Sequence, residues 1–426
     1  MIQAKLAHLF REEVRVARPS PIREICSLVA RPEVCSLAGG WPAPETFPTR
    51  EIAGLLTALL QTGGEQLLQY GSTEGLLELR LALLERLKSE AIKGLGPENI
   101  LITHGSTQGI HLAVQVFVDK GDVILVGLPT YFGATGAFLN QGGEPVGVAV
   151  DDRGLDTEAL AQKAQQLKAE GRRVKAVYVI PNFQNPTGAT LTLERRKHLL
   201  ELARQFDLVI LEDDPYGDLR YEGQKIDSLL ALDTEGRVVQ LRSLSKTFCP
   251  GLRLAWAAGP AEVIRKMVVT KQYSDCATNS LVQHLLLGFI RQGLWEERIK
   301  QNIEYYRTKR DFMLAMLERY FPSEATWNRP EGGFFIFVRL PPAWDASLLL
   351  QKAIEQNVAF VTGQPFFVDG GGRNTFRLSF SQADKSSIET AIKKLGEALK
   401  KMAARGRLSY LGRKQASSHG RPEASN

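Results

Sequence analysis

The chain has 426 residues, 44% of them hydrophobic and 23% charged, an ordinary globular composition and a length that calls for a large domain with a smaller one beside it. It contains no uninterrupted apolar run of about 18 residues, and its charged N-terminus lacks a secretory core, so a helical membrane span is excluded and a cytoplasmic location is expected. The formal net charge of +6 is concentrated in residues 405–426, where five Lys/Arg face one acid; the body is nearly balanced, which argues against a nucleic-acid partner.

The cysteines (Cys26, Cys35, Cys249, Cys276) form no CxxC pair, and the six histidines are scattered. Neither a disulfide framework nor a metal site is expected. From about Asn99 to Pro260 apolar runs alternate with helical stretches. "ILITHG" reads as a strand and "TQGIHLAVQVFVD" as a helix; "VILVGLP" is a strand and "YFGATGAFLNQG" a helix. "VKAVYVIP" is a strand, "LERRKHLLELARQFD" a helix, and "LVILEDD", "VVQLRSLS" and "RLAWAAG" are strands. Val/Ile/Leu-rich strands without polar alternation are buried on both faces. The fold class is therefore α/β, with a mainly parallel sheet covered by helices and ligand chemistry at the carboxyl ends of its strands. Beyond about Gly293 a charged helix leads to strands "FFIFVRLP", "VAFVTGQPFF" and "TFRLSF", and a helix from Asp384 to Met402 closes an α+β unit. The expected division is residues 1–45 as an arm packing with the small domain, 46–293 as the large domain, 294–404 as the small α+β domain and 405–426 as a disordered basic tail.

Polar punctuation falls at the strand ends. "GSTQG" places Ser106 and Thr107 at a helix N-terminus, which suits a phosphate or is an ordinary cap. Tyr131 opens the next helix, either to stack on an aromatic ring or as a core residue. In "PNFQNPTG" the Asn185 amide is placed to donate to a ring oxygen, and Asn185–Pro186 admits a cis bond. "EDDPYG" brings Glu212, Asp213 and Asp214; an inward carboxylate needs a cationic partner such as a protonated ring nitrogen, and otherwise the turn is a solvated acidic one. Tyr216 is within reach of the same ring. In "SLSKTFCPGLR", Lys246 between apolar runs is either a surface charge at a strand end or an amine held out of water, whose lowered pKa would equip it to attack an aldehyde. Ser243, Ser245 and Arg253 around it are phosphate donors. An aldehyde, a phosphate, a ring nitrogen and a ring oxygen together describe pyridoxal 5′-phosphate (PLP).

Together with "LAGGWPAPETFP", "LQYGSTEG" and "NTFRLSF", these motifs resemble the fold-type I aminotransferases, nearest the branch of 2-aminoadipate and kynurenine/aminoadipate aminotransferases, from about Arg18 to Met402. The resemblance implies a large domain with a seven-stranded sheet. It implies PLP held covalently on Lys246, which also moves the proton between Cα and the cofactor. Asp213 would keep the ring nitrogen protonated, Asn185 and Tyr216 would bond the ring oxygen, and Tyr131 would stack. Ser106, Thr107, Ser243, Ser245 and Arg253 would hold the phosphate, joined by Tyr70 from the partner subunit of a homodimer. Arg377 would clamp the substrate carboxylate beside the backbone of Gly40, and Arg23 would read the side chain. Trp41 departs from the smaller aliphatics usual in this branch and narrows the expected pocket; Thr107 stands where a longer side chain is common. The implied reaction is ping-pong transfer from an L-amino acid to a 2-oxo acid such as 2-oxoglutarate. Alternatives are a PLP-dependent β-lyase on the same scaffold, or a PLP-binding regulatory module, for which the forty or so residues before "LAGGWP" leave little room for a DNA-binding domain.

Overall fold

The computed structural model describes residues 6–11 and 33–418, the side chains of residue 7 and of 405–418 excepted. Cys26 and Arg23 lie outside the described residues. A short strand β1 (Cys35–Ser36) precedes helices α1 (Thr49–Leu67) and α2 (Leu77–Ser89). The central part runs β2 (Ile100–Thr103), α3 (Gly105–Phe117), β3 (Val123–Leu128), α4 (Phe132–Asn140), β4 (Glu144–Asp151), β5 (Gly154–Leu155), α5 (Thr157–Ala169), β6 (Val174–Val179), α6 (Leu193–Phe206) and β7 (Val209–Asp214). It continues with α7 (Leu229–Leu232), β8 (Val238–Ser243), β9 (Ala255–Ala258), α8 (Ala261–Gln272) and α9 (Ser280–Arg291). The last part is α10 (Leu294–Tyr320), β10 (Thr326–Trp327), β11 (Phe335–Arg339), α11 (Ala346–Ile354), β12 (Val358–Ala359), β13 (Val361–Thr362), β14 (Thr375–Ser379) and α12 (Lys385–Ser418).

The large sheet has the order β2-β9-β8-β7-β6-β3-β4-β5. Seven strands make its body, and the two-residue β5 adds an antiparallel edge. Only β9 runs against both of its long neighbours; the other long pairs are parallel. The two faces are read by alternation, as a pleated strand requires. Ile100, Ile102, Val123, Leu125, Val177 and Val179 enter one apolar cluster. Leu101, Ile124, Val126, Ala176 and Tyr178 enter another on the opposite face. Helices cover both faces, and some of them begin where a side chain satisfies their free N–H groups. Asp156 accepts from Glu158 N and Ala159 N at 3.0 and 3.1 Å, and Asn279 accepts from Val282 N at 3.0 Å. From β3 the chain moves outward to β4 and then returns to lay β6 on the other side of β3, so the topological switch lies between β3 and β6. Ligands bind at such a point.

The second sheet has the order β10-β11-β14-β13 and buries Phe334, Ile336, Val338, Phe376 and Leu378 against α10 and α12. Strand β1 pairs in parallel with β12, which carries the segment containing Gly40 from this layer to the rim of the large sheet. Helix α12 runs past Met402 to Ser418; Ala, Leu, Arg and Lys are frequent in this stretch, it has no proline, and two glycines cost too little to end it.

Candidate active site

Period-two alternation settles which carboxylate of "EDD" faces inward. Glu212 points away: its oxygens accept from Leu229 N (2.8 Å), Leu230 N (3.1 Å) and Gln240 Nε2 (3.0 Å). Asp214 turns to the Gly217 amide at 2.9 Å. Asp213, between them, is buried and takes the Tyr178 hydroxyl on Oδ2 at 2.7 Å. Its Oδ1 is buried without a partner, so the site presents an acceptor that a ring N–H suits. Burial raises this carboxyl to about 7, against the lowering effect of the Tyr178 hydrogen bond.

Lys246 follows β8. Its Nζ donates to the Gly40 carbonyl at 2.8 Å and lies 5.9 Å from the Tyr216 ring centre. Burial pushes the amine down to about 8, helped by the guanidinium charges of Arg377 and Arg253 and opposed by Asp213. A lysine with that value is about one-tenth neutral at pH 7, far more than an ordinary lysine, as a nucleophile or base requires. Tyr216 is buried edge-on to Phe334 and Phe335 at 5.8 and 5.7 Å, and burial holds its phenol well above the usual value.

Arg377 stands in the middle of β14, opposite Phe337 and Val361. It reaches the large-sheet side of the site: Nη1 donates to Asn185 Oδ1 at 2.7 Å and Nη2 to the Ala38 carbonyl at 2.6 Å. Its Nε is buried without a partner. Its guanidinium lies 4.0 Å from the Phe335 ring centre and 5.1 Å from that of Phe366. Desolvation lowers it to about 10, so it remains charged at neutral pH. The Asn185–Pro186 bond is cis, as is Leu128–Pro129.

A cup forms where α3 starts. Gly105 has φ +74°, and a Cβ there would collide with Arg253 Nη2. Arg253 itself is left-handed (φ 52°) and bonds Ser245 Oγ at 3.4 Å, while Ser243 Oγ accepts from Ser245 N at 3.2 Å. Free N–H groups at Ser106 and Thr107, hydroxyls and a guanidinium make an anion site. The cup is braced from behind by Gln108, which accepts from His104 N (2.9 Å) and donates to Asp275 (2.8 Å), itself paired with the buried Lys271 at 2.5 Å. Gly105→Ala should weaken PLP about tenfold, because the new methyl displaces Arg253 and strains the positive φ; fluorescence titration of the cofactor-free protein measures it.

The structure therefore brings together Lys246, Asp213, Asn185, Tyr216, Arg377 and Gly40, with Arg253, Ser243, Ser245 and Ser106 at one end. Tyr131, whose phenol is raised by burial and by the nearby Asp213, stands beside Phe132 with ring centres 5.5 Å apart. The Thr107 side chain is exposed. Tyr70 is 88% exposed and is not part of this cluster within its own chain. Trp41 is 42% exposed and lies over Gly39. Sequence reasoning missed Tyr178, Ala38, Phe335 and the Gln108–Asp275–Lys271 brace. Tyr178 and Phe335 sit inside apolar strands with no polar signal, and a backbone carbonyl leaves no trace in a sequence. The residues present fit PLP: an orphan acceptor for a ring N–H, an enclosed amine, and a phosphate-sized cup.

Residues 50–395 match the family described as aminotransferase class I and II. An aromatic-amino-acid aminotransferase of Thermococcus litoralis is 41% identical over 92% of this chain and 94% of its own. A 2-aminoadipate transaminase of Thermus thermophilus is 40% identical over 90% of this chain and 95% of its own. The crystal structure of a kynurenine aminotransferase of Pyrococcus horikoshii, solved in complex with PMP, superposes with a TM-score of 0.90 at 39% identity, covering 93% of this chain and 98% of that one. No helix among the described residues is long and apolar enough to cross a membrane. Motifs, site and likeness agree: the chain belongs to the class I and II aminotransferases, PLP-dependent enzymes of fold type I.

Proposed function

We propose that the chain transfers the amino group of a dicarboxylic or aromatic L-amino acid to 2-oxoglutarate by a ping-pong mechanism, as a cytoplasmic homodimer in amino-acid metabolism. When bound, PLP supplies the aldehyde that carries the amino group and the ring that takes up an electron pair. The rest is the work of the chain's own side chains. Lys246 Nζ anchors the cofactor and then, as a free amine of lowered pKa, takes the substrate's Cα proton. Asp213 Oδ1, with Oδ2 fixed by Tyr178, accepts from the ring nitrogen and favours its charged form. Asn185 and Tyr216 bond the ring oxygen, and Tyr131 packs on the ring. Ser106, Thr107, Ser243, Ser245 and Arg253 bind the phosphate.

Arg377 is already desolvated and oriented by Asn185 and Ala38, and its unpartnered Nε supplies a bond for the substrate α-carboxylate beside Gly40. Closure of this pocket would exclude water and strengthen each of these interactions. Arg23 reads the substrate side chain. The exposed Tyr70 supports a dimer in which it reaches the phosphate in the partner subunit, and the separate cores of the two sheets support a division near residue 293.

The observation that carries the reading is the pairing of an orphan buried Asp213 oxygen with an enclosed Lys246 amine at neighbouring strand ends. Mixing the holoenzyme with L-2-aminoadipate and 2-oxoglutarate tests it: L-glutamate should form. Ammonia and pyruvate released from a β-substituted amino acid without any 2-oxo acid would instead indicate a β-lyase. Arg377→Lys should lower kcat/KM about 10- to 100-fold, mostly through KM, because a lysine cannot make the two-pronged carboxylate contact; initial rates at varied donor concentration measure it.

A further inference from the structure

A cleft of about 670 Å³ opens between the end of β4, the loop after Asn185–Pro186, and strands β10 and β11. It is separate from the cluster around Lys246, and its size suits a small molecule. Two of its acids are already paired, Asp151 with Arg195 at 2.6 Å and Glu331 with Arg220 at 2.8 Å. Asp152 and Arg339 are exposed in its walls and form no ion pair with another described residue. Arg329 reaches Glu222 and Asp311 only at 3.6 and 3.8 Å, since Arg310 holds both acids more closely, at 2.5 and 2.7 Å. The Thr190 hydroxyl in the same wall is buried without a partner. The cleft thus holds one guanidinium (Arg339) and one carboxylate (Asp152) that form no ion pair with another described residue, and a second guanidinium (Arg329) engaged only by long contacts at the surface.

We propose that this cleft is a second binding site, for a dicarboxylic α-amino acid. Arg339 takes one carboxylate, Arg329 leaves its long contacts with Glu222 and Asp311 to take the other, and Asp152 takes the ammonium. A monocarboxylic amino acid would leave one guanidinium unused, and a simple dicarboxylate would leave Asp152 unpaired. The site is built to affect the catalytic one. Its wall includes Thr187, Gly188 and Ala189, in the loop whose Asn185 holds Arg377. Gly188 has φ +69° and is pressed so close to β11 that a Cβ would meet Asn328 Nδ2 at 2.5 Å and the Phe335 carbonyl at 3.1 Å. A ligand bridging Asp152, in the turn between β4 and β5, and Arg339, at the end of β11, fixes this loop and the two sheets together, so its affinity is linked to the geometry at Arg377.

The test is isothermal titration of L-glutamate into the Lys246→Ala chain, which consumes no amino acid, and into the same chain carrying Arg339→Glu or Asp152→Lys. Both added positions are exposed, so thermal melts should be unchanged. The expected result is a binding event whose Kd rises at least about tenfold with either reversal, and a weaker Kd for glutarate, which lacks the ammonium. An absence of binding, or an isotherm indifferent to both reversals, overturns the proposal; the latter places glutamate at Arg377. The role assigned to Lys246 is read separately, from the absorbance of the wild-type holoenzyme.

Discussion

Replacing Lys246 by alanine should lower amino transfer by about four orders of magnitude or more, the scale seen when a group that both bonds the reacting species and moves its proton is removed. The reason is local. The amine is enclosed, bonded at 2.8 Å to Gly40 and held near 8 by burial and two arginines; alanine supplies neither an anchor nor a base. Because the amine makes a single hydrogen bond, the variant should fold, which circular dichroism can verify. Single-turnover mixing with L-2-aminoadipate gives the rate. A variant that retained more than a few per cent of the wild-type rate would remove Lys246 from the chemistry.

Asp213→Asn should cost about 10²- to 10³-fold in kcat, since the amide cannot stabilise a positive ring nitrogen as a carboxylate does. It also has a signature in the cofactor-free protein. Burial lifts the folded-state pKa from 3.8 to about 7, so between these values the unfolded chain ionises while the native carboxyl stays protonated. The native state then binds more protons, and wild-type stability falls as pH rises from about 4 to 7, then levels off. The amide of the variant does not titrate in this range. The cofactor-free Asp213→Asn chain should therefore melt higher than wild type at pH 7, with the gap closing toward pH 4. Adding PLP to wild type reverses the order, because the ring cation compensates the carboxylate. Melting curves across pH, with and without PLP, measure this; a pH-independent gap would be incompatible with a raised Asp213.

The doubly covered sheet is legible in the sequence because β2, β3, β6, β7, β8 and β9 are short runs of Val, Ile, Leu and Ala with polar residues at their ends. Strand β4 is not, since Pro145 and Gly147 interrupt it and only Val148 among its residues is buried, near the sheet's edge. Helices α1, α2 and α5 carry none of the motifs that mark the other elements. In the site, polar residues punctuating apolar strands stand out, which is why the acidic turn Glu212–Asp214, Asn185 and Lys246 can be read directly. What fixes them does not: Tyr178 hides inside a strand, Ala38 acts through its carbonyl, and choosing among Glu212, Asp213 and Asp214 requires knowing which face of β7 meets the site. The Arg23 segment lies outside the described residues, so side-chain selection rests on the resemblance alone.

Whether Lys246 carries amino transfer is decided by the visible spectrum of the PLP-loaded protein as L-2-aminoadipate is added without a 2-oxo acid. The band of the cofactor bound to Lys246 should disappear, the pyridoxamine band should grow, and the first should return on adding 2-oxoglutarate. A spectrum unchanged by aminoadipate and by every other L-amino acid tried would rule out amino transfer at Lys246.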